Sequence, residues 1–287
     1  MEEGGELQEC IDIIVPTHGR LDLTVPCVSA LYANTKHRFH LIVVDDSSSD
    51  IDTYQDGMTT PKWFKRLQIE QTNITFIHSD TPYRNGNQIF NIGLANGSNQ
   101  FIATVMNSVI VQPDWDIVPV RLISRNPKIG FVGMKCLKLG WDDGKAASFN
   151  GKQMTPQEIW AHKEDGQIEC AGIWMKGYTP HDLGSGEEGH RLSMHYPVFS
   201  MQWAFALLRR EAVVGNLDED LWQGFVGWDD IDNTLYLRYK GWEAWYCGLG
   251  AGYHRTHATR GSNDNDILRK NRINAEIFYK RWGYWDM

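Results

Sequence analysis

The sequence has no C-x-x-C pair, no apolar run of membrane-spanning length, no basic excess and no internal repeat or low-complexity tract. Each absence removes a class of protein. Cys10, Cys27, Cys136, Cys170 and Cys247 are odd in number and widely spaced, so free thiols in a reducing compartment are expected. No stretch approaches the ~20 apolar residues of a transmembrane helix. The Met1–Glu9 tail is acidic, unlike a secretory signal, which makes the sequons at Asn73-Ile74-Thr75 and Asn96-Gly97-Ser98 chance matches. A soluble cytoplasmic protein is the expectation. A net charge of −8 argues against a general nucleic-acid or membrane-surface binder, although a local basic groove remains compatible with it.

What is present suits a large globular chain. With 287 residues, 42% of them hydrophobic, it can bury a sizeable core as one domain or two intimate halves. Twelve tryptophans is a high count; most belong in a core, but surplus aromatics also line sugar and base sites.

Ile11–Val15 is a buried-strand pattern stopped by Pro16-Thr17-His18-Gly19-Arg20, and a helix follows from Leu21 to about Asn34 with Leu23, Val28 and Leu31 inward. His40–Val44 reads as a second strand ending at Asp45-Asp46-Ser47-Ser48, and Ile74–His78 as a third. Ile89–Ala95 fits a helix and Gln100–Met106 a fourth strand. This alternation predicts parallel α/β structure, in which ligands gather beyond the carboxyl ends of strands. From Gly130 the pattern loosens, and 138–200 reads as loops and short strands over one face. Met201–Leu208 and Trp242–Cys247 are strand candidates, the second followed by a glycine-rich turn. Ile267–Trp282 is an amphipathic helix with Ile273, Ile277 and Trp282 inward.

Gly224, Phe225, Gly227 and Trp228 lead into Asp229, Asp230 and Asp232, followed by a helical stripe of Ile231, Leu235 and Tyr239 that Gly241 stops. Carboxylates at a helix N-terminus stay ionised, which suits a general base. The same acids also suit a plain N-cap. Asp45 and Asp46 at a strand's carboxyl end fit either a base-and-ribose contact or turn capping, and Pro16-Thr17 shares that ambiguity. Gly184–Gly189 satisfies G-x-G-x-x-G literally, but it lacks the flanking strand and helix and reads as a loop. His254 and His257, with Arg255 and Arg260 nearby, could take phosphate oxygens or a metal. His181, His190 and His195 read as solvated loop histidines.

Together these pieces resemble the family-2 glycosyltransferases, particularly the rhamnosyltransferase-like branch, over Ile11 to Trp282. Ile13-Ile14-Val15-Pro16-Thr17 with Arg20 is similar to the family's nucleotide loop. Val43-Val44-Asp45-Asp46 is similar to its base-contacting segment, where Asp46 would meet a uracil or thymine. Phe90-Asn91-Ile92-Gly93 matches the helix leading to the donor site, with phenylalanine in place of the usual arginine; Arg84 could substitute. The D-G-x-I-x-x-A-G segment at Asp165–Gly172, Arg209-Arg210-Glu211 and Gly215–Glu219 follow in the family's order. Trp228-Asp229-Asp230-Ile231-Asp232 stands at its G-x-E-D-x-D, and Tyr253-His254 at its closing histidine motif. One departure concerns the D-x-D metal motif, which should fall just before Val111-Gln112-Pro113-Asp114-Trp115. Met106-Asn107-Ser108 stands there instead.

The resemblance implies a GT-A fold: a Rossmann-like nucleotide-binding half (11–120) fused to an acceptor-binding half (121–262) around a mixed central sheet, preceded by a 1–10 tail and closed by a C-terminal helix (263–287). It implies an inverting hexosyl transfer from a UDP- or dTDP-sugar to a hydroxyl acceptor, a glycan or a modified nucleic-acid base. Asp230 would be the base and Asp229 would replace the family's glutamate. Pro16, Thr17, Arg20, Asp45, Asp46, Arg84, Asn91, Asn107, Ser108, Trp228, His254, Arg255 and Arg260 would bind the donor, with Trp174 and Trp203 on the acceptor side. Mn²⁺ or Mg²⁺ would be held only weakly, by Asn107, His254 and the diphosphate. The rival readings are a non-catalytic nucleotide-sugar binder and a phage-type transferase acting on DNA bases.

Overall fold

The computed structural model describes residues 9–49, 54–138, 148–149, 152–153, 168–169, 195–198, 202–225, 227–254 and 265–282. Its first half alternates strand and helix: β1 (Cys10–Thr17), α1 (Leu21–Asn34), β2 (Arg38–Asp45), α2 (Thr60–Glu70), β3 (Ile74–His78), α3 (Gly86–Ala95) and β4 (Phe101–Val105). There follow β5 (Val109–Val111), α4 (Ile117–Arg125), β6 (Ile129–Lys138) and the two- or three-residue strands β7 (Ser148–Phe149), β8 (Lys152–Gln153), β9 (Ile168–Glu169) and β10 (His195–Pro197). The chain continues through β11 (Phe205–Arg209), α5 (Arg210–Val213), α6 (Asp229–Tyr239), β12 (Glu243–His254) and α7 (Asn265–Trp282).

One ten-stranded mixed sheet carries the molecule, with the path β10-β12-β6-β11-β4-β1-β2-β3. β3, β2, β1 and β4 are parallel neighbours. The antiparallel β11 then joins β4 to β6. Ile11, Ile13, Ile14 and Val15 are all fully buried, because both faces of β1 are covered. On one face Ile13 and Val43 pack with Val28 and Leu31 of α1, Phe64 of α2 and Ile123 of α4. On the other, Ile14 and Ile42 pack with Phe90 and Leu94 of α3, Val213 of α5 and Leu237 of α6. The chain leaves β1 towards β2 but returns through α3 to β4 on its other side. That reversal opens a crevice at the carboxyl ends of β1 and β4, where α/β sheets take their ligands.

The other end of β1 is closed by charge. Asp12, fully buried, accepts from Arg210 Nη2 at 2.6 Å and from Asn99 Nδ2 at 2.6 Å, while Arg210 also donates to the carbonyls of Leu94 and Asn99. Arg209 donates to the carbonyls of Ile123, Asn126 and Ile129. The Arg209-Arg210 pair is therefore a strut joining β11 to its neighbours.

Several sequence expectations change. The loosened stretch after Gly130 holds the ten-residue β6, whose central place in the sheet hides any alternation. The helices α2 and α4 were not read from the sequence at all. Gly248–Gly252 does not turn but continues β12, through a register shift between Cys247 and Ala251. Tyr239 is 75% exposed, and α6 instead buries Asp232, Asn233, Thr234, Leu235 and Leu237. In α7 the buried residues are Asn274 and Phe278, with Ile277 and Trp282 at the margin. Cys10, Cys27, Cys136 and Cys247 are free thiols, and Cys170 lies outside the described residues.

Helix α3 meets β1 through a glycine. A Cβ on Gly93 would stand 2.7 Å from Cγ2 and 2.8 Å from Cδ1 of Ile14. Overpacking of this kind costs about 1–3 kcal/mol, more than the roughly 0.8–1.0 kcal/mol alanine gains over glycine in a helix. Gly93→Ala should therefore lower the urea midpoint at constant slope. An unchanged midpoint would mean that α3 moves outward without cost.

Candidate functional site

Thr17 and Asn107 face each other across the crevice. Asn107 Nδ2 donates to Thr24 Oγ1 at 3.0 Å and to Thr17 Oγ1 at 3.5 Å, and the two threonine hydroxyls lie 3.2 Å apart. Asn107 and Ser108 form the tip of a turn closed by Val109 N–H donating to Met106 C=O at 2.9 Å. The register of β12 against β5 sets His254 opposite Val109, two residues past Asn107. The strand that ends in His254 thus runs beside the strand that leaves the Asn107-Ser108 turn. Arg255 and Arg260 lie outside the described residues, as do Trp174 and Gly184–Gly189.

The two acids after β2 do different things. Asp45 is fully buried: Ser48 Oγ donates to its Oδ1, and His78 Nδ1 lies 2.6 Å from its Oδ2. It is a brace under the loop, and Ser48 in turn accepts from Gly19 N–H at 2.5 Å. Asp46 accepts from the Tyr83 N–H at 2.6 Å and its own N–H donates to Thr17 C=O. Burial pushes both carboxyls above the usual range, against the lowering effect of these hydrogen bonds. Pro16 stays half-exposed beside them.

Arg20 adopts a left-handed conformation (φ 50°) at the start of α1 and forks onto Asp22 at 2.7 and 2.8 Å. Arg84 is likewise engaged, with Glu219 Oε2 at 3.3 Å and with Asp220. Both guanidiniums are occupied within the protein, so a donor would have to share or displace those partners.

The acidic end of α6 is positioned by amides. The irregular segment 217–225 is gripped through its carbonyls: Asn85 Nδ2 donates to Glu219 and Trp222, Asn87 Nδ2 to Asp218, and Asn91 Nδ2 to Leu217. Asn274 on α7 donates to Gln223 and Gly227 and accepts from Gln223 N–H. Asn87 and Asn233 exchange side-chain hydrogen bonds at 2.7 and 3.3 Å, joining α3 to α6. Asn91 thus clamps this segment, donating to Leu217 C=O and to Glu219 Oε1. Gly227 (φ 94°) and Trp228 (φ 75°) reverse the chain into α6. Trp228 stacks on Phe278 and Tyr279 of α7, and Trp203, 2% exposed, packs on Phe90 and Phe131 and donates to Thr234 at 3.0 Å. Trp203 is a core spacer beneath α6, not a wall facing a ligand.

Asp229, Asp230 and Asp232 occupy the first turn of α6, where the free N–H groups and the helix dipole favour negative charge. Asp229 presses on the N-terminus of α3: a Cβ on Gly86 would lie 2.9 Å from its Oδ2. Asp46 holds Tyr83 and Asp229 abuts Gly86, three residues on, so at most ~10 Å of chain separates the two contacts. Beside them opens a cleft of about 520 Å³ lined by Tyr83, Arg84, Glu219, Trp222, Phe225 and Lys270, among others.

No family model matches the chain. It is 26% identical over 285 residues to the uncharacterized protein y4gI of Sinorhizobium fredii, covering 95% of this chain and 27% of that protein. Among solved structures it resembles GalNAc-T7 with UDP, GalNAc and Mn²⁺: TM-score 0.60, 13% identity, 94% of this chain and 50% of that one. It also resembles S. aureus TarS 1-349 in complex with UDP-GlcNAc: TM-score 0.58, 13% identity, 94% and 66% of the two chains. The fold is GT-A.

Thr17, Asp46 and Asn107 lie at the carboxyl-end crevice of β1 and β4, His254 stands opposite Val109 beyond the Asn107 turn, and Asp229 reaches the N-terminus of α3. A resident divalent ion does not fit this donor set. Met106 and Ser108 bring no carboxylate, the Asn107 amide nitrogen is committed to the two threonines, and among the described residues of this turn and its neighbouring strand end the neutral Asn107 carbonyl and the His254 ring are the ligands offered. Hard cations want charged oxygen ligands. Among the described residues no three His, Cys, Asp or Glu side chains converge as a metal site, and no described helix is long and apolar enough to cross a membrane.

Sequence reasoning missed Asn85, Asn87, Asn233 and Asn274. For Asn87, Asn233 and Asn274 the available signal was their place in helical stretches, where asparagine is a poor helix former and competes for local hydrogen bonds, whereas Asn85 is the N-cap of α3 and accepts from Gln88 N–H. It also missed the burial of Asp232. That carboxyl is 2% exposed, accepts from Trp282 Nε1 at 2.6 Å and meets Arg281 at 3.2 Å. Burial raises it from 3.8 to about 6, helped by the charges of Asp218 and Asp229 and opposed by Trp282 and Arg281. With the folded value above the unfolded one, the native state binds the proton more tightly, so stability falls as pH rises from about 4 to about 6 and is level above. Two units correspond to about 3 kcal/mol. The difference in unfolding free energy between Asp232→Asn and the parent, measured by urea titration across pH 4–7.5, should grow over that interval and then flatten. A difference independent of pH would place the Asp232 ionisation elsewhere.

Proposed function

We propose that this chain is an inverting glycosyltransferase that moves a hexosyl group from a UDP- or dTDP-sugar to a hydroxyl acceptor. The observation that carries the reading is the bracketing of the entry to α3. Asp46, from the strand end that meets a nucleoside in α/β sheets, holds Tyr83, and Asp229 of the α6 acid pair abuts Gly86. These two contacts support reading the crevice as a nucleoside pocket with the α6 acid pair beside it. The UDP and UDP-GlcNAc complexes of GalNAc-T7 and TarS, proteins of like fold, support the donor class. The rhamnosyltransferase-like branch rests on the sequence motifs.

In this reading Asp46 accepts the N3–H of uracil or thymine, while Thr17 and the Asn107-Ser108 turn line the ribose and diphosphate. Asp230, half-buried at the α6 N-terminus, accepts the acceptor's hydroxyl proton as that oxygen attacks the anomeric carbon. The bond from that carbon to the diphosphate oxygen breaks on the opposite face, its electron pair leaving with the diphosphate, and the configuration inverts. Mn²⁺ or Mg²⁺ arriving with the donor would be held by the nucleotide rather than by the protein. The acceptor side is formed by the 217–228 segment and its cleft.

Asp230→Asn should cut transfer, or donor hydrolysis when no acceptor is supplied, by ~10²–10⁴ while leaving calorimetric affinity for UDP nearly unchanged. Turnover equal to the parent's removes Asp230 from the chemistry. For Asp46, UDP and dTDP should bind more tightly than CDP, whose base lacks the N3–H that a carboxylate accepts. Equal affinities would show that Asp46 serves only to hold Tyr83.

A further inference from the structure

The Met106-Asn107-Ser108 turn brings no carboxylate for a metal, yet a donor diphosphate needs its charge balanced. Strand β6 brings a candidate that no sequence motif marked. Ile14 pairs with Thr104, Thr104 with Ala206 and Ala206 with Gly133, one row across the sheet. Two residues further towards the crevice, the next row on the same face runs through Pro16, Met106, Ala204 and Lys135, and Met106 N–H donates to Ala204 C=O at 2.9 Å. Lys135 thus lies on the face against which α3 and α6 pack, in register with the first residue of the Met106-Asn107-Ser108 turn. Two strand spacings, ~10 Å, separate its Cα from that of Met106, and its four-carbon stem spans much of the gap.

Lys135 is half-buried, and among the described residues its ammonium group makes no hydrogen bond or ion pair. Burial pushes it below the usual lysine range. Arg209, Arg210, Arg20 and Arg84, by contrast, are all engaged by protein oxygens. A cation withdrawn from water without a partner is costly unless an anion meets it.

Resting on the glycosyl-transfer reading, we propose that Lys135 binds the donor diphosphate and supplies, from the protein, positive charge that a D-x-D-held metal would otherwise bring. Its role is to hold the phosphate oxygens and stabilise the charge left on them when the sugar departs.

The test is calorimetric titration of UDP and of uridine, in excess chelator, into the parent chain and into Lys135→Met and Lys135→Arg. The parent should bind UDP at least about tenfold more tightly than uridine. Lys135→Met should lose about ten- to a hundredfold in UDP affinity with uridine affinity unchanged, and Lys135→Arg should recover most of the loss because it keeps the charge. Lys135→Gln is read in the same way should Lys135→Met not fold. UDP affinity unchanged in a variant that still binds uridine overturns the proposal. So does a parent that binds UDP no better than uridine in chelator, an outcome that leaves the nucleoside site standing. A parent that binds neither molecule removes the donor reading and this inference with it.

Discussion

The site depends on a set of side-chain amides. Among the described residues, 217–225 and Gly227 form no regular hydrogen-bond ladder, yet this stretch runs beside the cleft and leads to α6. Asn85, Asn87 and Asn91 from α3, with Asn274 from α7, supply donors to six of its backbone carbonyls. Each such bond adds only about 0.5–1.5 kcal/mol net, but a buried carbonyl left without a partner costs about 1–3 kcal/mol. Of the six bonds only the one to the Trp222 carbonyl is fully buried, so the segment is held mainly by the sum of several modest contacts. Asparagine suits the task because one short, uncharged side chain offers two donors and an acceptor.

Because these amides join α3, α6 and α7, they also couple the crevice at β1 and β4 to the acids. The Asn87–Asn233 exchange fixes α6 against α3, and the contact of Asp229 with Gly86 follows from that fixed approach. Three acids in one helical turn repel, and the dipole of α6 offsets part of that repulsion for Asp229 and Asp230. Asp232 turns away into the core formed by Trp222, Leu235 and Phe278, where Trp282 and Arg281 hold it. The C-terminal helix is thus tied to the acidic turn by both packing and charge.

The parallel half was legible in the sequence because its signals are local. Ile11–Val15 and His40–Val44 are unbroken apolar runs flanked by turn residues, and burial on both sheet faces allows nothing else there. The acids after β2 and at α6 could be picked out for the same reason: strand ends and helix starts are marked by nearby residues. The order of weak motifs suggested the GT-A architecture. β6 was lost because a central strand without alternation looks like a loosened loop, and Gly248–Gly252 misled because glycine at a bulge resembles glycine at a turn.

The sequence by itself determined the strand-helix alternation, the strand-end acids and the absence of carboxylates from the metal position, since each depends on residues adjacent in the chain. Tertiary structure decided which of those groups act together. It put His254 opposite Val109, turned Asp45 into a brace while leaving Asp46 at the crevice, sank Trp203 into the core and placed Lys135 in the Met106 row. These outcomes turn on strand register, where a shift of one residue sends every side chain to the other face. Register is set by long-range pairing and by the amide clamps, and neither leaves a local mark in the chain.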